Sequence, residues 1–100
     1  MNKIDINQIR QFPDGIFQVT VSGEQEENKT IHIVNLEENY YKKLTNEEIS
    51  PEALVTRSFE FLLAREPKES ILKEFELSEI QKYFPEYEKE MKNLLPLIKN

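Results

Sequence analysis

The sequence predicts an α+β fold: an N-terminal antiparallel β-hairpin, with or without a third short strand, packed on a C-terminal layer of three to four helices. Apolar and polar side chains alternate strictly from Ile16 to Ser22, which is typical of a half-buried strand. A second β-branched run, Thr30 to Leu36, follows a polar segment, and this favours a hairpin. From residue 37 onward the apolar spacing becomes helical, so a helical layer follows the hairpin.

Length and composition predict a single domain over residues 1–100, with a β-hairpin region at 16–36 and a helical region at 37–98. Apolar residues make up 38% of the chain, which suffices for one core without disulfide or metal staples. The net charge of −6 repels phosphate backbones, so nucleic-acid binding is not expected. The sequence contains no cysteine and shows neither a signal peptide nor a membrane span, so we expect a cytoplasmic protein.

The second hairpin strand has apolar side chains on both faces. Ile31 and Ile33 lie on one face, and Val34 and Leu36 lie on the other. A sheet with one solvated face would alternate apolar and polar residues, so we expect both faces to be covered. Residues 1–12, in contrast, are ambiguous between a strand and a short helix.

Two helices are predicted in the middle of the chain. The first is short and carries three apolar side chains at helical spacing: Leu36, Tyr40 and Leu44. The second spans 51–66, because Ser50 is a favourable N-cap and Pro67 cannot continue a helix. Its expected core stripe, with Phe61 at the margin, consists of Leu54, Val55, Ser58, Phe59, Leu62 and Leu63.

Residues 70–84 predict two further short helices separated by a tight turn. The first would bury Ile71, Leu72 and Phe75, and the second begins at Ser78 with Gln81 in capping-box position. Such a pair also fits a helix-turn-helix, although the five Lys and seven Glu of residues 68–92 argue against phosphate contacts. A last helix after Pro85 should end or kink at Pro96, with a stripe of Tyr87, Met91, Leu94, Leu95 and Ile98.

No set of residues predicts catalysis, a metal site or a cofactor. His32 is the only histidine, so a histidine metal cluster is excluded, and a catalytic triad has no local partners. We interpret His32 as a structural residue, with titration against a nearby Glu as the alternative. Adjacent carboxylates such as Glu37 and Glu38 are interpreted as surface charge, and two glycines are too few for a phosphate-binding loop.

Aromatic side chains are more numerous than one core stripe per helix requires. Tyrosine combines apolar area with a polar tip and is enriched at interface hot spots. The alternative is that most of these rings pack in the core with their hydroxyls at its edge. The candidates for a protein interface are Tyr40, Tyr41, Phe61, Tyr83 and Tyr87.

Four segments in the second half of the chain form a distinctive pattern. They read SPEALV at 50–55, SFEFLLAREPKESIL at 58–72, FELSEI at 75–80 and YFPEY at 83–87. The pattern resembles a family of small uncharacterised microbial proteins, and the likeness spans roughly residues 31–90. The resemblance implies an independent domain but no activity, so it assigns no functional residue.

The expected function is that of a non-enzymatic cytoplasmic protein-binding module, such as a small regulator or an antitoxin-type or immunity-type partner. Acidity and aromatic content are the features that favour it. The partner would be another protein or a second copy of the chain, and neither a membrane nor a small-molecule ligand is expected. The alternatives are a helix-turn-helix-like nucleic-acid binder and, less favoured, a small enzyme with perturbed carboxylates in a cleft.

Overall fold

The computed structural model describes residues 2–23 and 28–95, and within these residues the chain forms four strands and four α-helices. The predicted α+β class is therefore confirmed. Single 3-10 turns at Lys68–Ser70 and Leu77–Glu79 flank the last strand. In chain order the elements are β1 (Lys3–Arg10), β2 (Asp14–Ser22), β3 (Thr30–Glu37), α1 (Glu38–Thr45), α2 (Pro51–Leu63), β4 (Glu74–Glu76), α3 (Ile80–Tyr83) and α4 (Tyr87–Asn93).

The strands form one sheet in the order β1-β2-β3-β4. β2 pairs antiparallel with both β1 and β3, so the predicted hairpin is confirmed and the ambiguous N-terminal segment is a strand. β4 pairs parallel with β3 and lies within the predicted helical region 37–98, where no strand was expected. Part of the loop between β2 and β3, residues 24–27, lies outside the described residues.

The core lies on one face of this sheet. Phe17 and Val19 of β2 and Val34 of β3 are fully buried there against the helices. On the opposite face Ile31 is 52% exposed, so the prediction that both faces are covered is wrong. The physical reason is that the helices in the described part of the chain pack on the same face, and the apolar residues of the other face meet no covering element.

The predicted cap and apolar stripe of α2 are confirmed. The Ser50 hydroxyl accepts a hydrogen bond of 3.1 Å from the backbone N–H of Ala53. The helix ends at Leu63 rather than at residue 66, but the backbone N–H groups of Arg65 and Glu66 still donate to the Leu62 carbonyl at 2.9 Å. Leu63 is half-buried, whereas the fully buried stripe consists of Leu54, Val55, Ser58, Phe59, Phe61 and Leu62.

The predicted helix around residues 70–75 is wrong. Glu74–Glu76 instead form β4, and Ile33 N–H donates a 2.7 Å hydrogen bond to the Lys73 carbonyl at its start. Ile71 and Phe75 are buried as expected, but Leu72 is exposed. A helix-turn-helix therefore has no first helix in this segment.

The C-terminal helices are shorter than predicted. Ser78 lies in a 3-10 turn and does not begin a helix, and the Gln81 side chain bonds the Pro85 carbonyl and the Glu88 N–H instead of forming a capping box. In α4, Tyr87 and Met91 are buried. Leu94 is exposed and Leu95 is half-buried, while Pro96 and Ile98 lie outside the described residues.

Candidate functional site: an apolar groove beside β4

The structure divides the five aromatic interface candidates between core and surface. Tyr41, Phe61 and Tyr87 are buried, so these three side chains have almost no surface to offer a partner. Tyr40 is half-buried. Tyr83 is 67% exposed and is the candidate whose ring is most available for contact.

Tyr87 is buried because its hydroxyl finds a partner inside the core. It lies 2.6 Å from the Ser58 hydroxyl, which itself donates to the Leu54 carbonyl at 2.8 Å. Since the single Ser58 proton is used in that bond, the Tyr87 hydroxyl donates to Ser58. Burial raises the pKa of the Tyr87 hydroxyl, and the ring packs edge-on against Phe61 at 5.3 Å.

The two tyrosines of α1 attach this helix to its neighbours. Tyr41 packs against the Phe12 ring at 5.2 Å, and its hydroxyl donates to the Ile49 carbonyl. Tyr40 donates a 2.9 Å hydrogen bond to the Glu88 carboxylate of α4. Burial raises the pKa of Tyr40, and the nearby Tyr87 and Glu88 raise it further, so this hydroxyl remains a donor at neutral pH.

His32 connects β3 to the segment that precedes β4. Its ring is buried, with Nδ1 2.8 Å from the Leu72 carbonyl and Nε2 2.9 Å from the Thr30 hydroxyl. Because a carbonyl only accepts, Nδ1 carries the proton, and Nε2 accepts from Thr30. This geometry agrees with the interpretation of His32 as a structural residue. The hydrogen bond from its ring holds the Leu72 backbone in place.

Leu72 and Tyr83 lie at the rim of an apolar groove of about 210 Å³ beside β4. Both are large and well exposed, at 52% and 67%. The groove lies between the end of α2, the turn that precedes β4, and α3. Its buried apolar lining consists of Leu62, Ile71, Phe75 and Ile80, and half-buried Phe84 completes it.

Hydrogen bonds and ring contacts hold both sides of this groove. On one side, the His32 and Ile33 bonds attach residues 72–73 to β3. On the other side, Phe84 N–H donates to the Ile80 carbonyl at 2.8 Å, and the Phe84 ring packs edge-on against Phe61 at 5.8 Å. The groove is therefore formed by the fold itself and does not require a bound partner to shape it.

The charged residues that line the groove are both acidic. Glu66 and Glu79 contribute carboxylates, and among the residues that the structure describes no Lys or Arg lines the groove. The nearest cation in sequence, Arg65, stacks over the Phe61 ring at 3.6 Å and is paired with two carboxylates of the C-terminal segment, Glu86 at 3.2 Å and Glu90 at 3.0 Å.

Three lysines lie near the groove in sequence but outside its lining: Lys68, Lys73 and Lys82. Lys68 pairs with Glu69 at 3.0 Å. The groove itself is therefore an apolar depression with negative charge at its edge.

Size and composition limit what the groove can bind. Its volume of about 210 Å³ is below the range of roughly 300–1,000 Å³ that is usual for small-molecule sites. It exceeds the cavity of about 150 Å³ that holds a benzene ring in an engineered protein, so one large apolar side chain fits. Within residues 2–23 and 28–95, no group of three or more His, Asp or Glu residues could hold a metal ion.

No family model, curated protein or solved structure matches this chain. The resemblance proposed over residues 31–90 therefore remains a prediction. In the part of the chain that the structure describes, no helix combines the length and the apolar character needed to cross a bilayer.

Sequence reasoning identified Tyr83 but missed the rest of the groove. Helical spacing predicts Leu72 in the core of a helix, and no local pattern indicates Glu66 or Glu79. One available signal was the alternation across residues 74–77, where Glu, Phe, Glu and Leu follow one another with the period of a strand. A strand at this position would have placed Leu72 in the preceding turn.

Proposed function

We propose that this protein is a non-enzymatic cytoplasmic binding module whose groove beside β4 takes an apolar side chain of a partner protein, flanked there by Lys or Arg. The observation that carries the proposal is the preformed apolar groove whose charged lining residues, Glu66 and Glu79, are both carboxylates. An apolar anchor in a pocket contributes affinity, and complementary charge at the rim contributes specificity and association rate.

The positions of the exposed apolar side chains also support the groove beside β4 as the binding site. Scattered single apolar residues are ordinary on a protein surface, whereas a contiguous apolar patch with a polar rim is typical of an interaction site. Leu72 and Tyr83 are exposed at the same groove, and buried apolar residues continue the surface between them. A regulator, an antitoxin-type protein and an immunity-type protein all act by occupying a partner's surface, so the proposal covers each of them.

The test begins with the purified 100-residue chain and a displayed library of short random peptides. We expect enrichment of peptides in which Leu, Ile, Met or Phe adjoins Lys or Arg. Selected peptides are then synthesised, and their binding is measured by fluorescence anisotropy. Enrichment of sequences without basic residues would contradict the proposed charge complementarity.

Two charge-reversal variants then separate the groove from the net charge. Glu79→Lys should weaken binding of the selected peptides by about tenfold or more, because it replaces a carboxylate of the rim with a cation. Glu60→Lys changes the net charge by the same amount at an exposed position of α2 outside the groove, and should change binding less than about twofold. Equal losses in both variants would exclude the groove as the binding site.

A further inference from the structure

The outer edge of β4, the edge that does not face β3, is an edge of the sheet beside the groove. In a strand, the backbone N–H and C=O of one residue point to the same side, and successive residues alternate. The Ile33 N–H donates to the Lys73 carbonyl at 2.7 Å, so the backbone groups of Lys73 and Phe75 point toward β3 and those of Glu74 point away. Within residues 2–23 and 28–95, no other group bonds the Glu74 N–H or C=O.

The backbone of Glu76 agrees with this orientation. Glu76 lies two residues after Glu74, so its N–H also points away from β3. This N–H donates to the Glu79 carboxylate at 3.4 Å and is therefore occupied. A strand that is added at this edge consequently forms its backbone hydrogen bonds with Glu74.

The side chains of β4 alternate between the groove and the other face of the sheet. Phe75 is buried and lines the groove. Glu74 and Glu76 lie on the opposite face, where both are exposed. An added strand therefore points the residue opposite Phe75 into the groove, and the residues on either side of it face the two glutamates.

The surroundings of the two β4 glutamates carry more carboxylates than cations. Their partners on β3 are the uncharged residues Ile33 and Asn35. The next pair of residues on this face of the sheet, Glu37 and Asp14, is acidic. Lys73 directly precedes β4, but in the described part of the chain no ion pair joins it to either glutamate.

We propose that a partner protein adds an antiparallel strand to the outer edge of β4, with one apolar residue in the groove and Lys or Arg on each side of that residue. The inference rests on the binding function proposed above and specifies the partner's conformation and sequence. The basic residue after the apolar one faces Glu74 and exchanges two backbone hydrogen bonds with it, and the one before faces Glu76. Opposite charges at facing positions of two strands stabilise their pairing, and antiparallel pairing is slightly more stable than parallel pairing.

A second copy of this chain does not fit this description. No two of its 13 basic residues lie two positions apart, so no apolar residue of the sequence has Lys or Arg on both sides. Two β4 edges side by side would also bring the carboxylates of Glu74 and Glu76 from both copies together, and like charges at facing positions are destabilising. The partner is therefore a different protein.

The first experiment titrates a synthetic peptide into the nitrogen-15-labelled 100-residue chain and records amide chemical shifts. The peptide is Ser-Thr-Lys-Leu-Lys-Thr-Ser, acetylated and amidated at its ends. With one anchor and two backbone bonds, we expect a dissociation constant of about 0.1–1 mM. The Glu74 amide should shift strongly because it gains a hydrogen bond, and the Glu76 amide, already bonded to Glu79, should shift less. An unchanged Glu74 amide at about 5 mM peptide would overturn the proposal.

Two N-methylated forms of the peptide isolate the backbone hydrogen bond. N-methylation of the second Lys removes the N–H that donates to the Glu74 carbonyl, and it should weaken binding by about tenfold or more. N-methylation of Leu removes an N–H that points away from β4, and it should change binding less than about twofold. Both forms keep the charge and side chains of the original peptide. Equal losses, or a larger loss with N-methylated Leu, would contradict the antiparallel strand.

A pair of chain variants tests the proposed charge contact. Glu74→Gln should weaken binding of the peptide by about threefold, because the cation opposite it loses its partner. Glu60→Gln removes the same charge at an exposed position of α2 and should change binding less than about 1.5-fold. If the two variants lose affinity equally, Glu74 does not face the peptide and the arrangement is wrong.

The displayed library separates this inference from the proposed function. Selected peptides should carry Lys or Arg directly before and after the apolar residue. Peptides that respond to Glu79→Lys but carry their basic residues three or four positions from the apolar residue would bind the groove as a helix. That result would overturn the strand and leave the groove as the binding site. If no selected peptide responds to Glu79→Lys, the proposed function and the strand both fail.

Discussion

The face of the sheet that packs against the helices, the covered face, and the opposite face, the open face, both carry apolar residues on β3 but have different surroundings. On β3, His32 and Val34 point toward the helices and are buried, whereas Ile31, on the other face of the same strand, is half exposed. Isoleucine and valine have the same preference for strands, so propensity does not distinguish the two faces. The difference comes from the helices, which cover one face. The covered face therefore supplies stability, and the open face remains accessible to another molecule.

The covered face also contains polar groups, and it satisfies them. His32 uses both ring nitrogens, and Ser58 and Tyr87 bond each other within the helical layer. Within the described residues, no buried side-chain nitrogen or oxygen lacks a hydrogen-bond partner. Burial of such groups costs free energy when a partner is missing, so variants on this face should be far more sensitive than variants on the open face.

The largest effect is expected for Phe59→Ala. Phe59 is fully buried under the covered face, with the His32 ring at 5.3 Å and the Phe75 ring at 6.1 Å. Truncation of a buried Phe costs about 3–5 kcal/mol through lost transfer energy and the cavity that remains. Domains of this kind have about 5–15 kcal/mol in total, so the variant should be marginally stable in urea melts.

Glu60→Ala is the matched control for that variant. Glu60 is the next residue of α2 and is exposed, so its truncation should change the free energy of unfolding by less than about 0.5 kcal/mol. If Phe59→Ala costs no more than this control, the assignment of α2 to the covered face is incorrect.

An intermediate effect is expected for His32→Leu, which keeps an apolar side chain of moderate size on the covered face. The Leu72 carbonyl and the Thr30 hydroxyl lose their partner, which should cost about 1–3 kcal/mol in urea melts. Ile31→Thr, one residue away on the open face, should change stability by less than about 0.5 kcal/mol. Equal costs at the two positions would remove the distinction between the faces.

The smallest effect on the free energy of unfolding is expected only at high pH. It comes from two tyrosines in the helical layer that covers the sheet. Burial raises the pKa of Tyr40 and of Tyr87 above the ordinary value of about 10. The folded state therefore keeps these protons longer than the unfolded state. Their contribution to stability is complete below about pH 10 and is lost as the pH rises above that value.

Urea melts between about pH 8 and 11 measure this loss. Tyr40→Phe cannot ionise at this position, so its free energy of unfolding should decrease less steeply with pH than that of the original chain. If the free energy of unfolding decreases equally with pH in the two proteins, Tyr40 has the same pKa in the folded and unfolded states. That result would contradict its burial between α1 and α4.

Local signals in the sequence determined the elements that depend on neighbouring residues. The strict alternation of β2 predicts its buried face, and Ser50 with Pro51 predicts the start of α2, because a strand pleat and a helix cap are formed by residues close in sequence. The apolar stripe of α2 follows from helical periodicity in the same way. These features required no knowledge of the rest of the fold.

Tertiary contacts alone decided β4 and the burial of the aromatic candidates. β4 has three residues and pairs with β3, about forty positions earlier in the sequence. A pattern of a few neighbouring residues does not reveal a pairing with so distant a strand. Tyr41, Phe61 and Tyr87 became core residues because neighbouring segments supply ring contacts or partners for their hydroxyls. Within residues 2–23 and 28–95, Tyr83 makes no such hydrogen bond or ring contact, and it is exposed.

The candidate site depends on tertiary structure even more strongly. The groove is a space between the end of α2, the turn before β4, and α3, and its shape exists only after these segments pack together. Sequence alone determined that the chain carries acidic and aromatic residues in sufficient number for a partner surface. Packing decided which of them line one groove, because a concave surface arises from the relative positions of distant segments and not from any one of them.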